Sequence, residues 1–406
     1  MTVQTNHKTL LTIVLGITQM LAWASTYYLP AMIAQPMASE LGIPVAWVFA
    51  AFSLALLLSA FVTPITGRRI DRVGGRPVLL QSSLFFMTGL LLLSSAKGIM
   101  VVGLGFGLIG LGMGHGMYDS AFATLTRFYG KQARSAIMGV TLLGGLASTV
   151  GWPLMSWVLH YWGWQQVCLM WALLHMILGM PLHLLVPSIN HETQVETGVL
   201  QETGTEPLQA ENQAGRSQGS KRILWQMMLL SYVFAVAWFI STSLAAHFPE
   251  LIVLAGYGLS VAVMAGALIG PAQVGARLFE FFFLGKVHPV LVAVFAASLH
   301  PVGAVLFLFF NGSPNLFAIL HGAGNGMLTI AMGTVPLALF GPTNYGQRLG
   351  LIAMPARIVQ SFSPLVFAFL LAQWGAYSLI FTTGLLLTAI VSLLSIYYFG
   401  VRNEHA

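Results

Sequence analysis

The sequence consists largely of apolar stretches of about 20 residues, separated by short polar or glycine- and proline-containing breaks. A helix of about 20 residues crosses a hydrocarbon core of about 30 Å, so each stretch is long enough to span a membrane. Only 7% of the 406 residues are charged, whereas soluble domains carry about 25%. The chain is therefore predicted to be an all-α integral membrane protein. Its twelve predicted membrane helices lie near residues 9–32, 45–66, 77–95, 100–126, 136–160, 166–187, 223–246, 258–279, 289–310, 315–339, 350–371 and 377–400.

A polar segment, residues 188–222, separates the first six predicted helices from the last six. It holds five of the eleven acidic residues and is rich in Gln, Glu, Thr and Gly, a composition typical of disordered linkers. The predicted domains are an N-terminal six-helix bundle over 1–187, a cytoplasmic disordered linker over 188–222 and a C-terminal six-helix bundle over 223–406.

The basic residues predict the orientation in the membrane. Placing both termini and the linker on one side puts 15 of the 17 Lys and Arg residues on that side. By the positive-inside rule this side is cytoplasmic. The net charge of +6 therefore indicates topology rather than nucleic-acid binding. We expect a multi-pass protein of the bacterial inner (plasma) membrane with cytoplasmic N and C termini.

Short motifs of the first half recur in the second half in the same order. Gly114, Gly116 and Met117 are repeated 210 residues later, and Gly130 and Gly139 are repeated 211 residues later. An ordered series of this kind is hard to obtain by chance. It predicts two pseudo-symmetric six-helix bundles related by an axis along the membrane normal, with a substrate site between them near the midplane.

The loop after the second predicted helix reads Gly67-Arg68-Arg69-Ile70-Asp71-Arg72-Val73-Gly74-Gly75-Arg76. A glycine, an aspartate four residues on, and then basic residues around a further glycine resemble the loop motif between helices two and three of the major facilitator superfamily. With the helix count, the linker and the repeat, this resemblance covers the whole chain. It implies the superfamily's fold, a central cavity lined by helices one, four, seven and ten, and gradient-driven transport by alternating access.

The same loop predicts a cytoplasmic gate. A carboxylate at a helix end can accept hydrogen bonds from the N terminus of a neighbouring helix in one state and lose them in another. The alternative is that the arginines only fix topology. In the eighth predicted helix, Arg277 and Glu280 occupy the positions that the internal repeat relates to Arg69 and Arg72. The predicted gate residues are Gly67, Asp71, Arg72, Arg76, Arg277 and Glu280.

The fourth predicted helix carries His115, Tyr118 and Asp119 at positions i, i+3 and i+4, so we expect the three side chains to share one helix face. An ionisable residue inside a membrane span indicates function. Asp119 and His115 are therefore the predicted proton-coupling residues. Two alternatives stay open: Asp119 could be the fixed partner of a gate arginine, and His115 a hydrogen-bonded packing residue.

Arg357 lies within the eleventh predicted helix, where a charged arginine costs at least ~2.5 kcal/mol. It must therefore have a partner. One possibility is a permanent ion pair with Glu280 or Asp119. The other is an anionic substrate, because a guanidinium group suits carboxylates. The predicted substrate-binding residues are Arg357, Gln19, Trp23, Gln360, Asn325, Trp238 and Tyr27.

Several chemistries lack their motifs. No Gly-x4-Gly-Lys-Ser/Thr or His-Glu-x-x-His sequence is present, and the chain has one cysteine. The one Gly-x-Ser-x-Gly match, Gly215 to Gly219, lies in the polar linker and not at the strand-to-helix turn that this motif requires. We expect no enzyme activity, no catalytic residues, no cofactor and no metal site.

The predicted function is a secondary active transporter, expected to be proton-coupled, that moves a small and preferably anionic organic solute. One alternative is an exporter or antiporter of amphipathic or drug-like compounds, favoured by 12% aromatic residues and 19 methionines. Another is a receptor that keeps the carrier fold without transport. The expected partners are a small-molecule substrate, protons and the lipid bilayer, but no nucleic acid, and the chain is expected to be a monomer.

Overall fold

The computed structural model describes residues 2–188 and 213–401, which form sixteen α-helices and no strand. The helices are α1 Thr2–Ser25, α2 Leu29–Leu41, α3 Val45–Val73, α4 Gly75–Ser94, α5 Ile99–Gly116, α6 Tyr118–Tyr129, α7 Arg134–Gly144, α8 Ala147–Trp162, α9 Trp164–Leu174, α10 Met180–Leu184, α11 Gln213–Leu254, α12 Leu259–Phe283, α13 Pro289–Phe309, α14 Pro314–Phe340, α15 Tyr345–Trp374 and α16 Ser378–Ile396.

Ten apolar helical runs among the described residues are long enough to cross a membrane. Two of them, Ile99–Trp162 and Tyr345–Phe399, are 64 and 55 residues long and hold two crossings each, which brings the total to twelve. Helices dominate because a helix satisfies its own backbone hydrogen bonds where no water is available. The predicted twelve-helix membrane fold is confirmed.

The crossings form two bundles, each with its own core. One cluster of buried apolar side chains comes almost entirely from α1 to α9, and the other comes from α11 to α16. The internal repeat is visible in the backbone, since Gly130 and Gly341 both follow the last residue of a helix and both have positive φ, at 52° and 69°. Only glycine adopts this conformation without strain.

Most of the predicted linker, 188–222, lies outside the described residues, so its disorder and its side of the membrane stay predictions. Helix α11 begins at Gln213, within the segment that the sequence assigns to the linker.

The fourth crossing is broken, against the sequence-based expectation. Helix α5 ends at Gly116, Met117 is extended (φ −81°, ψ −173°), and α6 starts at Tyr118. The expectation that His115 and Asp119 share one helix face is therefore wrong. The break is tolerated because the Gly116 carbonyl accepts a hydrogen bond from Nε2 of Gln19, at 2.6 Å, in place of an intrahelical partner.

Close backbone contacts also join the two halves. A Cβ atom on Gly67 in α3 would overlap the carbonyl oxygen of Gly346 in α15. Farther along the same two helices, a Cβ on Gly350 would lie 2.6 Å from Cα of Pro64. The absence of side chains at these positions lets α3 and α15 touch across the interface between the halves.

The glycines of α5 provide a test of this packing. A Cβ on Gly110 would lie 2.5 Å from the carbonyl oxygen of Ala55 in α3, whereas a Cβ on Gly103 would meet nothing within 4 Å. Gly110→Ala is expected to destabilise the first bundle by about 1–3 kcal/mol through overpacking. Gly103→Ala should be neutral or stabilising by about 0.5–1 kcal/mol, because alanine favours the helix.

Thermal unfolding of both variants in detergent, followed by tryptophan fluorescence, checks this expectation. A melting temperature of Gly110→Ala equal to that of Gly103→Ala would contradict the close contact between α3 and α5.

Candidate functional site

An ion pair between the two halves lies at the centre of the molecule. Nη2 of Arg357 in α15 is 2.5 Å from Oδ2 of Asp119 in α6, and Nη1 of Arg357 is 3.5 Å from Oγ of Ser59. The two charged side chains are 11% and 16% exposed. Of the two partners that the sequence offered for this arginine, the structure places Asp119 against it and not Glu280.

Asp119 also lies in the first turn of α6, where the partial positive charge of a helix N terminus favours a negative group. The break at Met117 creates this N terminus inside the protein. A carboxylate at this position is therefore stabilised both by a guanidinium group and by a helix end.

The ion pair forms part of the wall of a narrow cavity. The first, fourth, seventh, tenth and eleventh crossings contribute to the wall. Besides the ion pair, it is lined by Trp23, Tyr118, Phe122, Phe234, Trp238, Thr329, Met332, Leu349, Ala353 and Ala356. The cavity thus combines one charged pair with a mainly apolar and aromatic surface.

Two tryptophans from the two halves stack on each other in the wall of this cavity. The rings of Trp23 in α1 and Trp238 in α11 are stacked, with centroids 6.0 Å apart and planes 7° from parallel. Trp23 also contacts the ring of Tyr118 at 5.1 Å, and its Nε1 has no hydrogen-bond partner among the described residues.

Tyr27 and Gln360 connect the halves on one side of the cavity. The Tyr27 hydroxyl lies 3.3 Å from Oγ1 of Thr242 and accepts a hydrogen bond from Nε2 of Gln360 at 3.2 Å. Tyr27 lies in the turn after α1, four residues beyond Trp23. It is away from the end of the bundle that carries Arg68, Arg69, Arg72 and Arg76, which we call the basic end. These polar contacts close the side of the cavity opposite to the basic end.

Five of the predicted substrate-binding and proton-coupling residues do not line this cavity: Tyr27 and Gln360, whose contacts are given above, and three more. Gln19 is fully buried and donates to the Gly116 carbonyl at the break in the fourth crossing. His115 is half-buried, donates from Nδ1 to the carbonyl of Leu111 at 2.8 Å and packs near the ring of Phe85. Asn325 lies in the wall of a second cavity inside the second bundle.

At the basic end, Asp71 caps a helix of the other half. Its Oδ1 accepts from the backbone N–H of Gly346 at 2.9 Å, and its Oδ2 accepts from that of Gln347 at 2.8 Å. Both N–H groups belong to the first turn of α15. The Asp71 carbonyl in turn accepts a hydrogen bond from Arg127. Asp71, near the C-terminal end of α3, therefore ties this helix to the N terminus of α15, where the helix dipole favours a carboxylate.

The other predicted gate residues differ in their contacts. Arg277 is 5% exposed and reaches the first half, donating from Nη1 to the carbonyl of Thr141 at 3.2 Å. Glu280 is 1% exposed, and its Oε2 has no hydrogen-bond partner among the described residues. The side chains of Arg72 and Arg76 make no hydrogen bond or ion pair within the described part of the chain.

Sequence reasoning missed several residues of these sites. Arg134 was counted only as a topology charge, but it donates to the carbonyls of Val287 at 2.9 Å and Leu284 at 3.3 Å, just past the end of α12 in the other half. Phe234 and Met332 line the central cavity and look in sequence like any lipid-facing residues. Their positions depend on which face of each helix points inward, and an almost uniformly apolar sequence carries little signal for that.

The comparisons with known proteins agree with this architecture. The family model described as Major Facilitator Superfamily matches residues 15–320. The chain belongs to the major facilitator superfamily. Members of this superfamily are transporters and not enzymes, so the chain is a multi-pass membrane transporter of small solutes, and the prediction that it is not an enzyme is confirmed.

Within the superfamily, two relatives and two solved structures illustrate the similarity. The gentisate transporter of Corynebacterium glutamicum is 26% identical over 342 residues, covering 80% of this chain and 73% of that protein. Monocarboxylate transporter 13 of Rattus norvegicus is 30% identical over 120 residues, covering only 29% of this chain and 28% of that protein.

The human organic anion transporter MFSD10 has a TM-score of 0.69 at 15% identity, covering 97% of this chain and 100% of that one. The proton:xylose symporter XylE has a TM-score of 0.72 at 11% identity, covering 97% and 96%. At these identities the two structures establish the fold of this superfamily member and nothing about its substrate.

The basic-end contact of this major facilitator superfamily protein can be tested with a cysteine label. Asp71→Asn should weaken the contact with α15 by about 1.5 kcal/mol or more, because it removes charge-assisted hydrogen bonds. The halves should separate more often at the basic end, so a cysteine replacing Leu349, which is 1% exposed, should react with a maleimide roughly tenfold faster. The native Cys168 is fully buried and should give little background.

Glu40→Gln is the matched control, because Glu40 accepts a hydrogen bond from Nε1 of Trp164 at 2.8 Å within the first half. Equal labelling rates in the Asp71→Asn and Glu40→Gln backgrounds would show that Asp71 does not hold the basic end closed.

Proposed function

We propose that the chain is a secondary active transporter that carries a small organic anion by alternating access and couples it to protons. The observation that carries this proposal is the Arg357–Asp119 ion pair, formed between the two halves in the wall of the central cavity. We further propose that it acts as a monomer in a bacterial inner membrane, with the basic end, both termini and the 188–222 linker in the cytoplasm.

The ion pair is suited to exchange with a substrate. A buried guanidinium that loses its partner costs several kcal/mol, so an anion that replaces Asp119 stabilises any state in which the pair is broken. When the halves separate, Asp119 moves away with the first half while Arg357 moves with the second. A substrate carboxylate in the cavity then supplies the missing negative charge. Substrate binding and the separation of the halves are thereby linked.

The same pair suggests how a proton enters the cycle. A protonated Asp119 no longer competes with an anion for Arg357, so proton binding at Asp119 favours anion binding at Arg357. By thermodynamic reciprocity, anion binding then favours proton binding. His115 is set apart from the ion pair by the break at Met117, so Asp119 is the better supported of the two proposed coupling residues.

The relatives support an anionic substrate. Gentisate and monocarboxylates, the substrates in the names of the two relatives described above, both carry a carboxylate group. The aromatic cavity wall, with Trp23 and Trp238, suits the apolar part of such a molecule.

Alternating access is supported by the contacts on the two sides of the cavity. Asp71 and the N terminus of α15 join the halves at the basic end, and Tyr27 joins them to Gln360 and Thr242 on the opposite side. Because each set consists of a few hydrogen bonds, either can break while the other persists.

A thermal-shift assay on the purified chain in detergent tests the anion site. Gentisate and benzoate are compared with benzylamine and benzyl alcohol, which keep a ring but lack the carboxylate. At a hundredfold excess over its Kd a carboxylate should stabilise the wild-type chain by about 2.7 kcal/mol, raising its Tm by several °C. Arg357→Gln should lose this response, and Arg68→Gln, which changes an exposed arginine at the basic end, should keep it.

Asp119→Asn makes the assay more specific. If Asp119 and the substrate compete for Arg357, this variant should bind carboxylates about tenfold more tightly than the wild type, a difference of about 1.4 kcal/mol. Its binding should also depend less on pH, while pH-gradient-driven accumulation in vesicles is lost.

Other outcomes would replace the proposal. Stabilisation by benzylamine or benzyl alcohol alone, with Arg357→Gln merely less stable, would make Arg357 a structural ion-pair member and favour the export of amphipathic compounds. Carboxylate binding without saturable flux in vesicles would indicate a receptor with the carrier fold.

A further inference from the structure

The second half contains a buried histidine pair that the transport proposal does not use. His300 in α13 and His321 in α14 are 3% and 4% exposed, and their Nδ1 atoms are 3.0 Å apart. On its other side, Nε2 of His300 lies 3.0 Å from Oγ1 of Thr382 in α16. Two imidazoles and a hydroxyl therefore form one chain of hydrogen bonds across three helices.

The protons of this chain can be assigned from its last member. The Thr382 hydroxyl lies 3.0 Å from the carbonyl of Leu379, which can only accept. With its proton given to this carbonyl, the hydroxyl oxygen accepts from Nε2–H of His300. A neutral imidazole has one N–H, which leaves Nδ1 of His300 as an acceptor. Nδ1–H of His321 must then be the donor between the rings. It follows that Nε2 of His321 carries a lone pair.

This nitrogen has no hydrogen-bond partner among the described residues, and His321 lines the second cavity together with His300 and Asn325. The described remainder of the wall is Ala237, Ile240, Ala296, Gly324, Leu328 and Leu386. The two imidazoles are thus the titratable groups that this wall presents from α11, α13, α14 and α16. One free nitrogen cannot hold a metal ion, which needs three or four protein ligands.

A polar row links this nitrogen to the central cavity. His321, Asn325 and Thr329 follow one another at four-residue spacing on α14, and Oγ1 of Thr329 donates to the carbonyl of Asn325 at 2.8 Å. Thr329 lines the central cavity with Arg357. Eight residues of helix place His321 about 12 Å along the axis from Thr329.

We propose that Nε2 of His321 is a proton-binding site and that the His300–His321 pair holds one additional proton inside the second half. The proton adds to the lone pair of Nε2, converts His321 to an imidazolium ion and leaves the hydrogen bond from Nδ1–H to His300 in place. The positive charge lies in the same half as Arg357. Because it attracts an anion in the central cavity, proton binding at His321 and anion binding at Arg357 strengthen each other.

The site itself can be tested without any substrate. Nitrogen-15 NMR of the full-length chain, labelled at histidine and held in nanodiscs, reports the tautomer and charge of each imidazole. A signal that is lost in His321→Gln should belong to an Nδ1–H tautomer and convert reversibly to imidazolium on acidification while the protein stays folded. A His321 signal that stays neutral until the protein unfolds would overturn the proposal.

Thr382→Val provides a second variant that keeps both histidines and nearly the same side-chain volume. Without the hydroxyl acceptor, His300 is free to turn its N–H towards His321, so His321 should change to the Nε2–H tautomer. Its cavity-facing nitrogen then lacks the lone pair, and its protonation on acidification should be weakened. An unchanged tautomer of His321 in this variant would refute the proton order assigned to the chain.

The link to anion binding rests on the proposed function and needs its own measurement. In the Asp119→Asn background, benzoate affinity should still rise severalfold as the pH falls through the range in which the NMR signal of His321 converts to imidazolium. This residual rise should vanish when His321→Gln is added and persist with His160→Gln, which changes an exposed histidine. A rise that persists with His321→Gln would disprove the link. If benzoate does not bind at all, the transport proposal fails while the NMR result still decides the proton site.

Discussion

The structure depends on one constraint, which is that a permanently charged arginine lies in the middle of a membrane protein. Arg357 cannot lose its charge, and low-dielectric surroundings make an unpaired guanidinium costly. Asp119 meets this requirement from the other half of the molecule, at 2.5 Å. The two bundles are therefore held together at their centre by an interaction that any relative movement must break, and which only another anion or water can replace.

One irregular feature makes this arrangement possible. The break at Met117 starts a new helix next to Asp119 and leaves the Gly116 carbonyl to Gln19, so the N terminus of α6 lies inside the protein. The repeat-related segment of the second half, around Gly326 and Met327, stays within the continuous helix α14. Two similar sequences thus form different backbones, and the helix N terminus beside Asp119 has no counterpart at the repeat-related position of the second half.

Helix α15 connects the different parts of the machinery. The backbone N–H groups of its first turn donate to Asp71, and its middle carries Arg357. Farther along the helix, Gln360 donates a hydrogen bond to Tyr27. Gly346 and Arg357 are eleven residues apart, about 16 Å along a helix axis. Because one helix contacts the first half at three levels, a tilt of α15 can weaken the contacts at one level while preserving those at another.

The sequence by itself determined the membrane class, the number of crossings, the two halves and the family, because each follows from the length of apolar runs or from spacing along the chain. It also indicated Asp71, Arg357 and Asp119 as candidate site residues, since charges are conspicuous in a sequence with so few of them. It could not determine that the fourth crossing breaks, that Asp119 rather than Glu280 meets Arg357, or that Trp23 stacks on Trp238. Those facts depend on the rotation of each helix about its axis and on contacts between distant segments. In a nearly uniform apolar sequence, only tertiary packing decides them.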